Sequence, residues 1–344
     1  MSSLTPDKKY RIVTNAAAID QDQWERFVFD HPQGNVFQTP QLYAAYCNTK
    51  NYYPIVVACY EANSLVGILL AVIQKEYKGI LGELSARSIL WGGPLIRDND
   101  INILEGVMNE YSRIVKHMVI YTQIKNIFSM DWAKIDLKQA GYNYEEHLNI
   151  LVDLNKSENE LWKEVHSKRR NEIRRATKEG TSFSELSDCD ALNKSWPVLK
   201  DVYQRAKMPL PDISLFQNIL AAEGGRSLLK VFAAMNSGQC IGVLLALCWR
   251  ERVINWYAGA FQKDLSKYPN DLLPWEVILW AKRNGYKTFD FGGAGKPEVP
   301  YGVRDFKMKF GGELVNLGRF QKTHKPFTMS VAKLGFRFWQ LIKK

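Results

Sequence analysis

Two apolar segments that lie half a chain apart share one pattern, and this internal repeat constrains the fold more than any other feature. Residues 64–73 read SLVGILLAVI and residues 239–248 read QCIGVLLALC, with Gly67 and Gly242 at matching places. Each segment follows another apolar run across a short turn containing Asn, Ser or Gly. That pattern is typical of a β-hairpin with a buried second strand.

The segments after each hairpin also match, and they predict a duplicated unit. The first half continues with SILWGGPLI, INILEGVMNEYSRIVKH and MVIYTQI, and the second with RVINWYAGAF, LLPWEVILWAKRNG and YKTFDFGG. Both series indicate a strand, a helix and a strand, which favours an α/β fold of the α+β type with mixed sheets. We therefore expect tandem domains at about residues 1–150 and 151–325. A C-terminal helix over 326–344 should pack back on the core, or alternatively lie on a membrane surface.

The amino-acid composition limits the cellular compartments and the binding partners that suit this chain. Lys and Arg total 46 against 36 Asp and Glu, a formal charge of +10, which suits a phosphate, RNA, nucleotide or acidic membrane partner, or a plain solvated basic surface. The five cysteines include no CxxC pair, and the five histidines show no ligand spacing, so we predict no metal site. No signal-peptide core is present, so we expect a cytoplasmic location, with the inner face of the membrane as the alternative.

The most basic stretch, ELWKEVHSKRRNEIRRATKEG at 160–180, is predicted to be a single helix. Its apolar stripe is interrupted by Arg169, which should point toward protein or a cleft, and Arg170 and Arg174 lie on an adjoining face. These guanidinium groups could bind the phosphate of a substrate. The alternative is a solvated basic face with Arg169 in a structural salt bridge.

The stretch DFGGAGKPEVPYGVRDFKMKFGGELV at 290–315 concentrates polar groups beside glycines. The carboxylate on the strand should point away from the flanking phenylalanine rings, and the glycine pair should expose backbone N–H groups. A tyrosine, an arginine and a lysine then follow at i, i+3 and i+6 as a helix begins. The candidate catalytic residues are Asp290, Arg304 and Lys307, and the candidate substrate-binding residues here are Gly292, Gly293 and Tyr301.

Three segments resemble the FemA/FemB/FemX-type transferases. They are LWKEVHSKRRNEIRRATKEG, FGGAGKPEVPYGVRDFKMKFGGELV and, more weakly, HPQGNVFQTPQLYAAY near the start. The resemblance spans most of the chain and implies two fused acyltransferase domains of the GNAT type, the acyl-CoA N-acyltransferase-like fold. It also implies transfer of an acyl or aminoacyl group onto an amine, often in peptidoglycan bridge synthesis. It marks Lys307 as the cation beside the reacting carbonyl and adds Gln38 as a substrate-binding residue.

The donor stays open at this point. Acetyl-CoA-dependent GNAT domains carry a Q/R-x-x-G-x-G/A loop that binds pyrophosphate, and neither half has it, so an ordinary acetyl-CoA site is disfavoured. We expect no bound cofactor and a donor that is an aminoacyl-tRNA or an acyl thioester, such as acyl-carrier protein or CoA held differently. The acceptor would be a phosphorylated or lipid-linked envelope precursor between the domains.

Two rivals remain. One is an N-acyltransferase that acts on a small-molecule amine, and the other is a non-catalytic nucleotide- or RNA-binding relative.

Overall fold

The computed structural model describes residues 9–76, 82, 85–186 and 189–329. The chain divides into two compact units, Met1–Glu145 with Leu317–Lys344 and Glu146–Asn316. Each unit is built on one mixed β-sheet with helices packed against it.

In the part of the chain described, the first unit has an eight-stranded sheet in the order β1-β2-β3-β4-β6-β15-β7, with β5 paired to β3. Its strands are β1 Tyr10–Val13, β2 Tyr52–Glu61, β3 Ser64–Gln74, β4 Arg87–Trp91, β5 Leu95–Ile96, β6 Tyr121–Lys125, β7 Asn143–Glu145 and β15 Arg319–Thr323. Its helices are α1 Gln21–Asp30, α2 Pro40–Cys47, α3 Ile101–Val115 and α4 Lys134–Gln139. Strands β4 and β6 are parallel, and the other neighbours are antiparallel.

The second unit repeats this plan with seven strands among its described residues, in the order β14-β8-β13-β12-β11-β10-β9. They are β8 Leu148–Asp153, β9 Thr181–Leu186, β10 Leu229–Asn236, β11 Gln239–Trp249, β12 Arg252–Ala260, β13 Thr288–Gly293 and β14 Glu313–Asn316. Its helices are α5 Glu158–Glu164, α6 Ser167–Lys178, α7 Cys189–Arg205, α8 Ser214–Ala221, α9 Gly225–Leu228, α10 Pro269–Arg283 and α11 Gly302–Met308. Here β12 and β13 form the parallel pair.

The two repeated glycines occupy equivalent places. Gly67 lies on β3 opposite Cys59, and Gly242 lies on β11 opposite Ala234, each beside a register shift of the hairpin. A Cβ added at Gly67 would lie 2.8 Å from the Ile103 side chain, and one at Gly242 would lie 2.9 Å from Pro269. Both glycines therefore let the first turn of the following helix, α3 or α10, pack closely on the sheet. The duplication predicted from the sequence is present in the structure.

The last strand of the chain returns to the first sheet, which differs from the predicted domain range of 151–325. Strand β15 lies between β6 and β7 and is hydrogen-bonded to both. Strand β8, which directly follows β7 in the chain, instead pairs with β13 and β14 of the second sheet. Residues 317–325 were placed in the wrong domain because hydrophobic pattern identifies a strand and not its partner.

The basic segment forms two helices, so the single helix predicted over 160–180 is wrong. Helix α5 begins with a capping box between Ser157 and Glu160 and ends at Val165, which has an extended conformation. Helix α6 then begins after His166, whose imidazole accepts from the backbone N–H of Lys168. The backbone N–H of His166 donates to the carbonyl of Lys309, which stabilises the break.

Residues 326–329 are helical, and the rest of the C-terminal helix predicted over 326–344 lies outside the described residues. Within the ranges that the structure describes, no helix combines the length and the apolar character needed to cross a bilayer.

Candidate active site

The parallel strands of the second unit separate after three residue pairs, and a cavity lies where they part. Strand β12 pairs with β13 from Arg252 to Ile254, while a register shift against β11 makes a bulge at Trp256. The cavity has a volume of about 330 Å³ and is lined mainly by apolar residues of β11, β12, α7 and α10. It is large enough for an acyl or aminoacyl group.

Lys307 of α11 lines this cavity. Its Nζ donates to the backbone oxygens of Phe291 at 2.7 Å and Gly293 at 2.8 Å, both at the end of β13. Burial lowers the pKa of Lys307 to about 8, and the nearby Asp290 charge opposes this by raising it. An ammonium group has three N–H donors, so one remains for an oxygen atom in the cavity.

Asp290 lies on β13 and is fully buried. Its Oδ1 accepts from the backbone N–H of Gly292 at 2.7 Å and from the Asn149 side chain at 3.3 Å. Its Oδ2 has no hydrogen-bond partner among the described residues. Burial raises the pKa of the carboxyl, and the charge of Arg252 is the main opposing effect. A cation with a lowered pKa and an acid with a raised pKa therefore lie near each other, an arrangement common at sites of proton transfer.

The predicted spacing brings Tyr301 and Arg304 against the loop after β13 and Lys307 against the end of that strand. Arg304 donates to the carbonyls of Lys296 at 2.7 Å and Val299 at 2.8 Å. The Tyr301 ring lies over Gly295, where an added Cβ would be 2.9 Å from it. Both side chains therefore stabilise the loop after β13. A direct catalytic role for Arg304 is therefore disfavoured, because its guanidinium group is already bonded to backbone.

The glycine pair acts through different atoms from those expected. Gly292 has a φ of 69°, which a residue with a side chain adopts with strain, and its N–H is bonded to Asp290 instead of being exposed. Gly293 supplies a carbonyl to Lys307, and a Cβ added there would lie 2.8 Å from the His147 ring. The pair therefore sets the backbone geometry around Lys307. The Gly292 N–H group is not available to a substrate, because Asp290 already accepts from it.

Arg169 is engaged inside the protein, which corrects its assignment to substrate binding. It is 6% exposed and forms ion pairs with Asp271 of α10 and with Glu172 at 3.0 Å. Its guanidinium group also lies 4.4 Å from the centre of the Phe306 ring, which lines the cavity. The stripe along the helix correctly indicated that this residue points inward, but its partner is a carboxylate of the same unit.

Arg170 and Arg174 do not form the expected clamp. Arg170 donates to the carbonyls of Trp162, Lys163 and Val165, and so caps the C-terminal end of α5. Arg174 is exposed and lies 5.4 Å from the centre of the Trp162 ring. Arg170 is structural, because its donors satisfy helix-end carbonyls.

Gln38 has a structural role in the first unit and lies in no open site. It is fully buried, and its amide bonds to the backbone N–H and carbonyl of Leu70 on β3 and to the carbonyl of Trp91 on β4. On its other edge this part of β3 pairs with β2. The Gln38 side chain thus replaces backbone pairing on the edge of β3 that faces β4 and β5, between the residues that pair with those two strands. Substrate binding by Gln38 is disfavoured, since its amide atoms are already bonded.

Sequence reasoning missed several residues that form the site. Asn149 supports Asp290 from the neighbouring strand, and Asn255 lines the cavity from β12. Gly259 also lines it, and an added Cβ there would lie 2.6 Å from Val202 of α7. The available signal was weak: an asparagine inside each of two apolar strands, NILVDL and RVINWYAGAF.

The comparisons with known proteins agree with this architecture. Residues 167–308 match a family model described as an acetyltransferase (GNAT) domain. The structure is similar to that of FemX, with a TM-score of 0.70 and 16% identity over 94% of this chain and 100% of that one. It is also similar to L-PGS from Bacillus licheniformis, with a TM-score of 0.58 and 15% identity over 92% of this chain and 96% of that one.

A tandem GNAT protein from the clavulanic acid biosynthesis pathway gives a TM-score of 0.58 and 11% identity over 92% of this chain and 99% of that one. No curated protein matches the sequence. At these identities the similarity shows the fold. The chain therefore has the predicted architecture of two tandem GNAT-like domains with mixed β-sheets.

Proposed function

We propose that the chain is an acyltransferase of the FemA/FemB/FemX type. Its second unit would carry the active site, where an acyl or aminoacyl group is moved onto the amine of an acceptor. The observation that carries this proposal is Lys307, a poorly solvated cation with one donor to spare, on the wall of a cavity of about 330 Å³. The fold shared with FemX and L-PGS supports it, as does the match to the GNAT family model.

The chemistry follows from this placement. The amine nitrogen attacks the carbonyl carbon of an ester or thioester, a C–N bond forms, and the bond to oxygen or sulfur breaks. The Lys307 ammonium donates to the oxygen that becomes negative in the tetrahedral intermediate, a contact that strengthens as the charge develops. The proton released by the amine finally reaches the departing hydroxyl or thiol. The Asp290 carboxylate favours the charged form of Lys307, because it raises the pKa that burial lowers.

Donor and acceptor belong to the same proposal. We infer an aminoacyl-tRNA or acyl thioester as donor and an amine of a cell-envelope precursor as acceptor, on the resemblance of the two long motifs. The cavity lining contains no carboxylate among its described residues and includes Arg205 and Lys307, so a neutral acyl group suits it better than a cationic one.

The decisive experiment is single-turnover transfer. The protein is incubated with charged tRNA or acyl-carrier thioesters and amine acceptors, and the product is detected by mass spectrometry. Once a substrate pair is found, Lys307→Met should reduce the rate by about a hundredfold, the usual loss when one electrostatic contact to an oxyanion is removed. Lys307→Arg should recover part of it, because a planar guanidinium fits a compact ammonium site poorly.

Lys309→Met is the matched control. Lys309 is a lysine of similar partial burial just past the same helix, but it does not line the cavity. It should keep the wild-type rate. Wild-type transfer by Lys307→Met, with an unchanged melting curve, would refute the proposal.

A further inference from the structure

Four neighbouring strands of the first sheet place a row of polar side chains side by side. Trp91 on β4 pairs with Lys125 on β6, Lys125 pairs with Arg319 on β15, and Arg319 pairs with Glu145 on β7. Residues directly opposite in a sheet point to the same face. All four are partly exposed, so solvent and solutes can reach the row.

Lys125 is a cation of this row without an ion-pair partner among the described residues. Its Nζ lies 4.4 Å from the centre of the Trp91 ring, and no carboxylate within the described parts of the chain forms an ion pair with it. Burial, together with the smaller effects of the Arg319 and Arg87 charges, lowers the pKa of Lys125 to about 8.

The neighbouring cations are partly neutralised. Arg87 forms an ion pair with Glu76 at 2.7 Å. Burial lowers the pKa of Arg319, and the charge of Glu145 opposes that effect. Glu76 therefore forms an ion pair with Arg87, and the charge of Glu145 acts on Arg319, whereas no carboxylate of the described residues acts in the same way on Lys125.

Like charges directly opposite each other destabilise an antiparallel pair, and a bound anion would reverse the sign of that interaction. We propose that Lys125 and Arg319 together bind an oxyanion, a phosphate or a carboxylate group of a ligand. The lysine offers three donors as a point charge, and the arginine offers a planar fork of donors that fits two oxygens. This site lies in the first unit and does not depend on acyl transfer in the second.

Calorimetry on the full chain tests the site with two probes at matched ionic strength, inorganic pyrophosphate and succinate. Wild-type protein should bind at least one of them, and the preferred probe distinguishes a phosphate site from a carboxylate site. Lys125→Met should weaken that binding at least tenfold. Lys134→Met is the control, because Lys134 also lies over an aromatic ring of the first unit, 3.8 Å from the centre of Tyr144, but outside the row.

Thermal unfolding separates a ligand site from a structural contact. Lys125→Met removes a repulsive cation, so without ligand it should melt above wild type, and the probe should raise the melting temperature of wild type far more than that of the variant. Lys125→Gln, which keeps a polar group, gives the same comparison if the methionine variant does not fold. Equal probe affinity in wild type and both variants, or no probe binding to wild type, would overturn the inference.

Discussion

At the residue scale, the surroundings of Lys307 decide what the site can do. Burial disfavours its charge, while two backbone carbonyls and the Asp290 carboxylate favour it. The balance places its pKa at about 8, so the side chain is mostly protonated at neutral pH and loses its charge just above. A lysine in water would stay charged for roughly two further pH units.

This pKa predicts the pH dependence of transfer. If the protonated amine stabilises the oxyanion, the transfer rate should fall as the pH rises through about 8. In Lys307→Arg the transfer rate should not fall over this pH range, because a guanidinium group stays charged throughout it. The measurement is single-turnover rate against pH for the two proteins. A rate that instead increases through pH 8 would assign Lys307 to proton abstraction.

Sequence alone identified Lys307 and Asp290 as candidates, and the structure places Lys307 on the cavity wall with the buried Asp290 near it. Those two lie in one short motif, where strand alternation and helix spacing are local rules. Arg169 and Gln38 were assigned to substrate because their partners, Asp271 and the backbone of Leu70, are far away in the chain. No local pattern shows whether an inward polar group meets a ligand or another part of the protein.

At the element scale, the contact between α6 and α10 includes one buried ion pair in addition to apolar packing. Arg169 and Asp271 are 6% and 8% exposed, and they join the helices beside the apolar residues of the core. An unpartnered buried charge costs several kcal/mol, whereas a well-packed apolar replacement of both partners costs little. The pair therefore positions the Arg169 side chain, whose guanidinium group lies 4.4 Å from the centre of the Phe306 ring at the cavity.

Arg169→Met should destabilise the fold by about 3 kcal/mol, because it leaves the Asp271 carboxylate buried without its partner. Adding Asp271→Leu should recover most of this loss. Urea unfolding of the single and double variants measures both values, and the exposed Lys178→Met serves as a control near zero. Full stability in Arg169→Met would show that the pair does not hold the helices together.

At the scale of the whole molecule, the repeat was predictable and the exchange of strands was not. The hairpin pattern around Gly67 and Gly242 repeats in the sequence and marks equivalent strands. The pattern of β15 shows a strand but not its neighbours, β6 and β7, whose paired residues lie 174 to 202 positions earlier. The chain thus passes from one unit to the other twice, at 145–146 and at 316–317.

Because β15 belongs to the first sheet, separate fragments of the two units should differ in how cooperatively they unfold. A fragment of residues 146–316 contains all the strands described for the second sheet and should unfold cooperatively by itself. A fragment of residues 1–145 lacks β15 and should show little cooperative melting until a peptide of residues 317–344 is added. Circular dichroism melts with and without the peptide measure this. A stable 1–145 fragment that ignores the peptide would contradict it.

The position of β15 also sets an order of folding during synthesis. Strand β6 ends at Lys125, yet its partner at Arg319 is translated 194 residues later, a delay of roughly 10–40 s at usual bacterial and eukaryotic elongation rates. The second sheet has all its strands by Asn316, before β15 has been made. The first unit, most of which leaves the ribosome first, is therefore the unit whose sheet is completed last. Until then, the facing edges of β6 and β7 present unpaired backbone groups with which strands of other chains can pair.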